Sequence, residues 1–166
     1  KYNGTAFEGF TGDEVLSGLD PTKGTECCAV VEQMYSYEEI FKATGDSKWA
    51  ERLEMLAFNA LPATLSEDMW VHQYVQQVNQ VACQKTMIMA PWSTNGPYAH
   101  TFGLEPNFGC CTANFNQGWP KFALSAFMHN GDTIINSVML PSVLNDSGVT
   151  IKLETDYPFK NKMNYY

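Results

Sequence analysis

The sequence predicts a mixed α and β fold, with helices first and strands last. Three observations carry this. Between Glu26 and Thr44 the apolar residues Val30, Val31, Met34, Tyr37, Ile40 and Phe41 recur at helical spacing. A second stripe of Trp49, Leu53, Leu56, Ala57, Ala60 and Leu61 does the same over roughly 47–64. From Asn130 onward the period shortens to two, over Thr133–Leu140 and Val149–Glu154, with the turn tetrapeptide "NDSG" between them.

Each element follows from local chemistry. Residues 1–24 are rich in Gly, Thr, Asp and Pro and read as loop. Thr25 is the expected N-cap of the first helix, and Gly45 its stop. Asp46 caps the second helix, so a tight Gly-Asp turn joins two amphipathic helices into an αα-hairpin. Over 69–90 apolar and polar residues alternate more, which predicts extended structure. Residues 91–109 read as loop again. "TANFNQGWPKFALSAFM", after Cys111, ends as a helix, with Gly118 and Pro120 interrupting its middle. The expected organisation is a helical part over 1–129 and a β part starting at 130 and running to 166. The chain opens at Lys1 without Met and stops at "NKMNYY" as a strand pattern begins, which reads as an internal segment of a longer chain.

Charge narrows the function. The net charge is −8, and Arg52 is the one arginine, so basic faces for nucleic acid, anionic membranes or phosphate-rich ligands are not expected. No apolar run approaches the ~20 residues a spanning helix needs. A neutral ligand such as a sugar fits this balance. "NGT" at 3–5 and "NDS" at 145–147 fit the glycosylation pattern without fixing a compartment.

Four of the five cysteines form two adjacent pairs, "GTECCAV" at 24–30 and "NFGCCTANF" at 107–115. Three readings are open. Free cysteines pack well in cores, and Cys83 is expected to be such a residue. Disulfides could bridge the pairs, leaving one cysteine over and Glu26 without a role. A metal site would use Glu26, one of Cys27 and Cys28, Cys110 and Cys111, a set of the right types for Zn²⁺. A helix N-terminus favours the anions Glu26 and Cys28. Cys110 and Cys111 sit at a loop-to-helix junction that can aim both inward.

Five ordered pieces carry a resemblance: "TGDEVLSG" (11–18), "GTECCAVVEQMYS" (24–36), "HQYVQQVNQ" (72–80), "FGCCTANFNQGWPKF" (108–122) and "VTIKLETDYPF" (149–159). The chain resembles the family 127 glycoside hydrolases, whose characterised members include β-L-arabinofuranosidases. The resemblance implies the αα-hairpin portion of an (α/α)6 barrel, followed by strands of an accessory β-domain. It implies a retaining glycosidase with a zinc-bound cysteine nucleophile, acting on L-arabinofuranosides or related plant-type glycans. Carried over, the nucleophile falls on Cys110, and the other zinc ligands on Glu26, Cys28 and Cys111. Cys27 then packs. The acid/base falls on Glu14 of "GDE", with Asp13 as the local rival. Tyr74 matches a sugar-contacting tyrosine, and His72 lies one period-two step away. The implied partners are a carbohydrate substrate and the rest of the parent chain, not nucleic acid or membrane.

The implied chemistry has a physical basis. A retaining glycosidase needs a nucleophile and an acid/base group about 5–5.5 Å apart. A thiol with a pKa near ~8.5 is mostly protonated at neutral pH, whereas coordination to Zn²⁺ deprotonates it outright. Glu14 would need a pKa raised toward neutrality by apolar surroundings and nearby anions. Trp70, Trp92, Tyr98 and Trp119 could stack on sugars, or simply pack. His100 and His129 have no recognisable partner in the sequence. Two other functions remain open here: a closed, structural zinc site, and a carbohydrate-binding piece without catalysis.

Overall fold

The structure, a computed structural model, describes residues 4–5, 9–12, 15–87, 90–103 and 108–166. It is a mixture of helices and small antiparallel sheets, as the sequence predicts. Contacts divide it into two compact units, Lys1–Lys121 and Phe122–Tyr166.

In the first unit, strand β1 (Thr25–Glu26) runs directly into helix α1 (Cys27–Thr44). Thr25 is therefore not the N-cap; Glu26 holds that position, without a side-chain capping bond. The Thr25 hydroxyl is used elsewhere, donating to the Phe10 carbonyl at 2.7 Å. The C-terminal expectation holds: Gly45 adopts φ 65°, and its N–H closes the helix on the Phe41 carbonyl at 2.8 Å. Asp46 is not the N-cap of the next helix either, since Ser47 holds that position, but its carboxylate accepts from the Lys48 amide at 3.1 Å and so supports the first turn.

That second helix is not uniform. It comprises α2 (Lys48–Met55), a π-turn (Leu56–Ala60) and the short α3 (Leu61–Ala63). Against α1 it buries Leu53, Leu56, Ala57, Ala60 and Leu61, facing Val30, Val31 and Met34. Each buried Leu, Val or Met among them contributes about 1.5–3 kcal/mol of transfer free energy, which is what makes the hairpin persist.

The expectation of extended structure over 69–90 fails for most of its length. The regular strand is β2 (Val75–Gln76), antiparallel to β1 with Glu26 opposite Val75. Beyond Gln76 the described residues form turns, bends and irregular chain. Where the expectation holds, at His72, which bridges Leu65 and Gly103, and at β2, residues 72–76 are all buried. This segment is pinned on both edges. The Cys27 amide donates to the Tyr74 carbonyl at 2.8 Å, and the Val75 amide to the Ala99 carbonyl at 2.9 Å. Glutamine side chains tie it to neighbouring loops and helices: Gln73 donates to the Ala63 carbonyl, and Gln77 to those of Thr22 and Trp92.

Helix α4 (Gly109–Leu124) runs through Gly118 and Pro120 without a break. Gly118 serves an approach rather than a turn. A Cβ there would lie 2.6 Å from Leu61 Cδ2, so the absence of a side chain lets α4 settle onto α3.

In the second unit, β3 (Phe127–Asn130) pairs with β4 (Thr133–Asn136), and β5 (Ser142–Asp146) with β6 (Val149–Thr155), which also pairs with β7 (Met163–Tyr165). "SAFM" thus leaves the helix and enters a strand. The expected strand Thr133–Leu140 stops at Asn136, and "NDSG" closes the β5–β6 hairpin, with Ser147 at φ 49° and Gly148 at φ 84°. Among the described residues, no helix is long and apolar enough to cross a membrane.

Candidate metal centre

Two chain segments bring acidic groups to one point. The first is the β1–α1 junction, which supplies Glu26 as the last strand residue and Cys28 one step into the helix. The second is the opening of α4, with Cys110 and Cys111 in its first turn. Both sets sit where unsatisfied helix N–H groups favour negative charge. One donor atom from each of Glu26, Cys28, Cys110 and Cys111 lies within 4.8 Å of the other three. The Cys28 and Cys111 sulfurs are 3.1 Å apart, the Cys110 and Cys111 sulfurs 4.0 Å, and the Cys111 sulfur is 4.0 Å from Glu26 Oε1.

Those distances exclude disulfides in this structure and are compatible with a metal site. All five cysteines are free thiols, and 3.1 Å is well beyond the ~2.05 Å of a disulfide. Zinc–sulfur bonds of about 2.3 Å in tetrahedral arrangement put neighbouring sulfurs roughly 3.8 Å apart. The observed separations bracket that value. Three sulfurs and one carboxylate oxygen therefore suit a Zn²⁺ ion in both number and spacing.

Electrostatics agrees with the geometry. The Cys28 thiol is pushed far up by its contact with Cys111 and by burial. Burial, and then the Cys28 thiol, push Cys110 up, while the neighbouring Cys27 thiol does most to raise Cys111. Without a cation these groups stay protonated at neutral pH. A divalent ion would reverse that preference.

Burial is uneven across the cluster. Glu26 and Cys111 are buried, Cys28 is half-buried and Cys110 is exposed. Cys27 is fully buried in an apolar cluster with Tyr74, Val75, Ala99 and Cys111. The ring of Tyr74 stacks on Phe108, with centroids 4.1 Å apart and planes 5° from parallel. His72 is 2% exposed, and its Nε2 lies 2.8 Å from the Thr112 hydroxyl, next to Cys111 in sequence. Both residues thus pack directly behind the opening of α4.

Glu14 and Asp13 lie outside the described residues. Their neighbours Gly12 and Val15 line a cavity of about 270 Å³ that also includes Phe10, Leu16, Glu26 and Cys28. Gly12 is required there: at φ 103° its Cβ would meet the Val15 carbonyl at 2.2 Å. Its amide donates to the Gly24 carbonyl at 2.7 Å, which fixes this segment beside β1.

Sequence reasoning missed Glu32, which lines the same cavity. Its signal was present, since it lies one helical turn beyond Cys28. Cys83 is exposed rather than a core residue, within 3.2 Å of the Gln80 amide. His100 proves fully buried, with Nδ1 on the Val75 carbonyl at 3.0 Å and Nε2 on the Ser93 hydroxyl at 2.7 Å. His129 pairs with Asp146 at the surface. Of the aromatic residues considered for stacking, Trp119 and Trp92 are engaged with protein groups, Tyr98 lies under Lys85, and Trp70 is largely exposed beside Phe115.

The family model for the GH127 catalytic domain, described as β-L-arabinofuranosidase, matches residues 3–124. The chain belongs to this family. Solved GH127 structures share its fold. A GH127 β-L-arabinofuranosidase from Geobacillus stearothermophilus T6 matches at TM-score 0.72 and 14% identity, over 99% of this chain and 27% of its own. A GH127 β-arabinofuranosidase, BT3674, matches at TM-score 0.71 and 19% identity, over 95% of this chain and 24% of its own. A third structure, a glycoside hydrolase, matches at TM-score 0.67 and 20% identity, over 88% of this chain and 24% of its own. The chain therefore spans about a quarter of the length of the structures it matches. No curated protein matches it significantly.

Proposed function

We propose that this GH127 chain carries the nucleophile and metal ligands of a retaining glycoside hydrolase acting on L-arabinofuranosides or related glycans. The observation that carries this reading is the convergence of Glu26, Cys28, Cys110 and Cys111 within 4.8 Å. In this reading these four residues hold Zn²⁺, which supplies the charge that keeps the thiolates ionised at neutral pH.

Cys110 is the nucleophile because it is the exposed member of the set. A closed structural site would give no reason for one ligand to face outward, so exposure favours catalysis over a purely structural role. The Cys110 sulfur attacks the anomeric carbon, a C–S bond forms and the bond to the leaving oxygen breaks. Glu14 donates its proton to that oxygen. In the second half, Glu14 as carboxylate takes a proton from water, the water oxygen bonds to the anomeric carbon, and the C–S bond breaks. Glu26, buried beside the sulfurs, would be the oxygen ligand of the ion and would add negative charge next to the thiolates. Phe10 and Leu16 line the adjoining cavity and give it an apolar side facing solvent. Tyr74 and His72 remain the proposed sugar-side residues. In this structure their contacts are to Phe108 and Thr112, so their part includes holding the start of α4.

The test is covalent trapping in the full-length protein with an activated, slowly turned-over L-arabinofuranoside. A sugar adduct on the peptide carrying Cys110, absent from Cys110→Ala, is the expected result. An adduct on another residue, or turnover that survives Cys110→Ala, would overturn the assignment.

A further inference from the structure

We infer that the π-turn Leu56–Ala60 sets the spacing between the two ligand-bearing segments, with Gln76 and Trp119 as its positioning residues. This rests on the metal reading above and adds to it the residues that hold the ligands in register.

The argument starts with backbone accounting. In a π-turn an N–H bonds five residues back rather than four. Accordingly, the Leu61 amide donates to Leu56 and not to Ala57. Five residues after Ala57 stands Pro62, which has no N–H. The Ala57 carbonyl thus loses both its possible helical partners. A buried carbonyl left without a donor is costly, so Ala57 needs a partner from outside the helix. The Ala60 carbonyl, one turn further on, also takes a side-chain bond from outside the helix.

Those partners come from the ligand-bearing helix α4 and from β2, the strand paired with ligand-bearing β1. The Trp119 indole N–H donates to the Ala57 carbonyl at 3.1 Å, and Trp119 lies on α4, the helix that opens with Cys110 and Cys111. The Gln76 amide donates to the Ala60 carbonyl at 2.6 Å, and Gln76 lies on β2, opposite Thr25 and beside the Glu26–Val75 pair. Two carbonyls three residues apart on one helix therefore take one side-chain bond from α4 and one from the strand beside β1. Gly118 and Leu61 make the close contact that accompanies the Trp119 bond. A uniform α-helix would satisfy the Ala57 carbonyl internally and leave the Trp119 indole without this partner.

The experiment compares metal binding with stability in the protein and in Trp119→Phe, Gln76→Met and Asn59→Ala. Asn59 lies in the same turn, but its amide bonds only within its own helix, to the Met55 carbonyl and sulfur. Zn²⁺ affinity is read by competition with a chromophoric chelator. Co²⁺ is substituted for its thiolate charge-transfer and d–d bands. Trp119→Phe and Gln76→Met should each weaken Zn²⁺ binding by about tenfold or more and alter the Co²⁺ bands, while Asn59→Ala leaves both unchanged. Pro62→Ala, added to Trp119→Phe, supplies the missing N–H within the helix. It should restore stability without restoring metal affinity. The inference is overturned if both positioning variants bind Zn²⁺ within twofold of the parent with the same Co²⁺ spectrum, or if Pro62→Ala restores affinity together with stability. A parent protein that binds neither ion would remove the metal reading itself, and this inference with it.

Discussion

Replacing Gly118 with alanine isolates the contact that lets α4 approach α3. A methyl group at this position would sit 2.6 Å from Leu61 Cδ2 and 3.5 Å from both Leu61 Cδ1 and Val31 Cγ2. Ordinary carbon contacts begin near 3.5 Å, so one pair must separate by roughly 0.9 Å. Leu61 is only 1% exposed and has little space to rotate into. Overpacking of this size costs about 1–3 kcal/mol. Against it stands the helix-propensity gain of alanine over glycine, about 1 kcal/mol. The net expectation is a loss of up to about 2 kcal/mol, or a fall of roughly 2–4 °C in Tm for each kcal/mol. Thermal and urea unfolding would measure it. Leu61→Ala in the same chain should cost less when Gly118→Ala is present than when it is absent, because the new methyl occupies part of the vacated space. A Gly118→Ala protein more stable than the parent would refute the reasoning, since it would leave the propensity gain unopposed.

Cys110→Ser should retain the fold and weaken Zn²⁺ binding, while abolishing turnover in the full-length enzyme; metal titration and steady-state kinetics check it. Cys83→Ser should change stability by no more than about 0.5 kcal/mol, because Cys83 is exposed; denaturant unfolding decides. Burial holds His100 below its ordinary pKa, against the opposing pull of the Val75 carbonyl. The unfolded chain then binds the extra proton more readily. This contribution is therefore fully present above the unfolded pKa of about 6.5 and is lost as pH falls through the lower folded value. His100→Gln should flatten that acid-side slope, which unfolding midpoints at pH 7.5 and pH 5 would reveal.

The helical hairpin was legible because its apolar residues lie on one face and Gly45 and Asp46 punctuate it with standard chemistry. The cluster was legible in part: a glutamate beside two vicinal cysteine pairs marked a metal site as one of three readings, and the assignment of Cys28 rather than Cys27 rested on the family resemblance. Period-two reasoning caught the bridges at His72 and strand β2 but overran into 77–87, where the described chain is turn and irregular structure. No local pattern announced the π-turn. It follows from Pro62, from the loss of backbone donors around it, and from side chains that arrive from 16 and 62 residues away. The position of Cys83 depended on tertiary packing, which spacing does not encode. Gly118 and Pro120 looked like interruptions, yet the helix tolerates both, and the space beneath Gly118 is used for packing.

The central claim is that one divalent cation holds the two cysteine pairs together. Titrating the reduced, metal-free protein with Zn²⁺ while recording bound metal and released protons tests this most directly. One equivalent should bind tightly with net release of thiol protons, and Cys28→Ser or Cys111→Ser should weaken it strongly. No tight binding, or binding indifferent to those substitutions, would contradict the account.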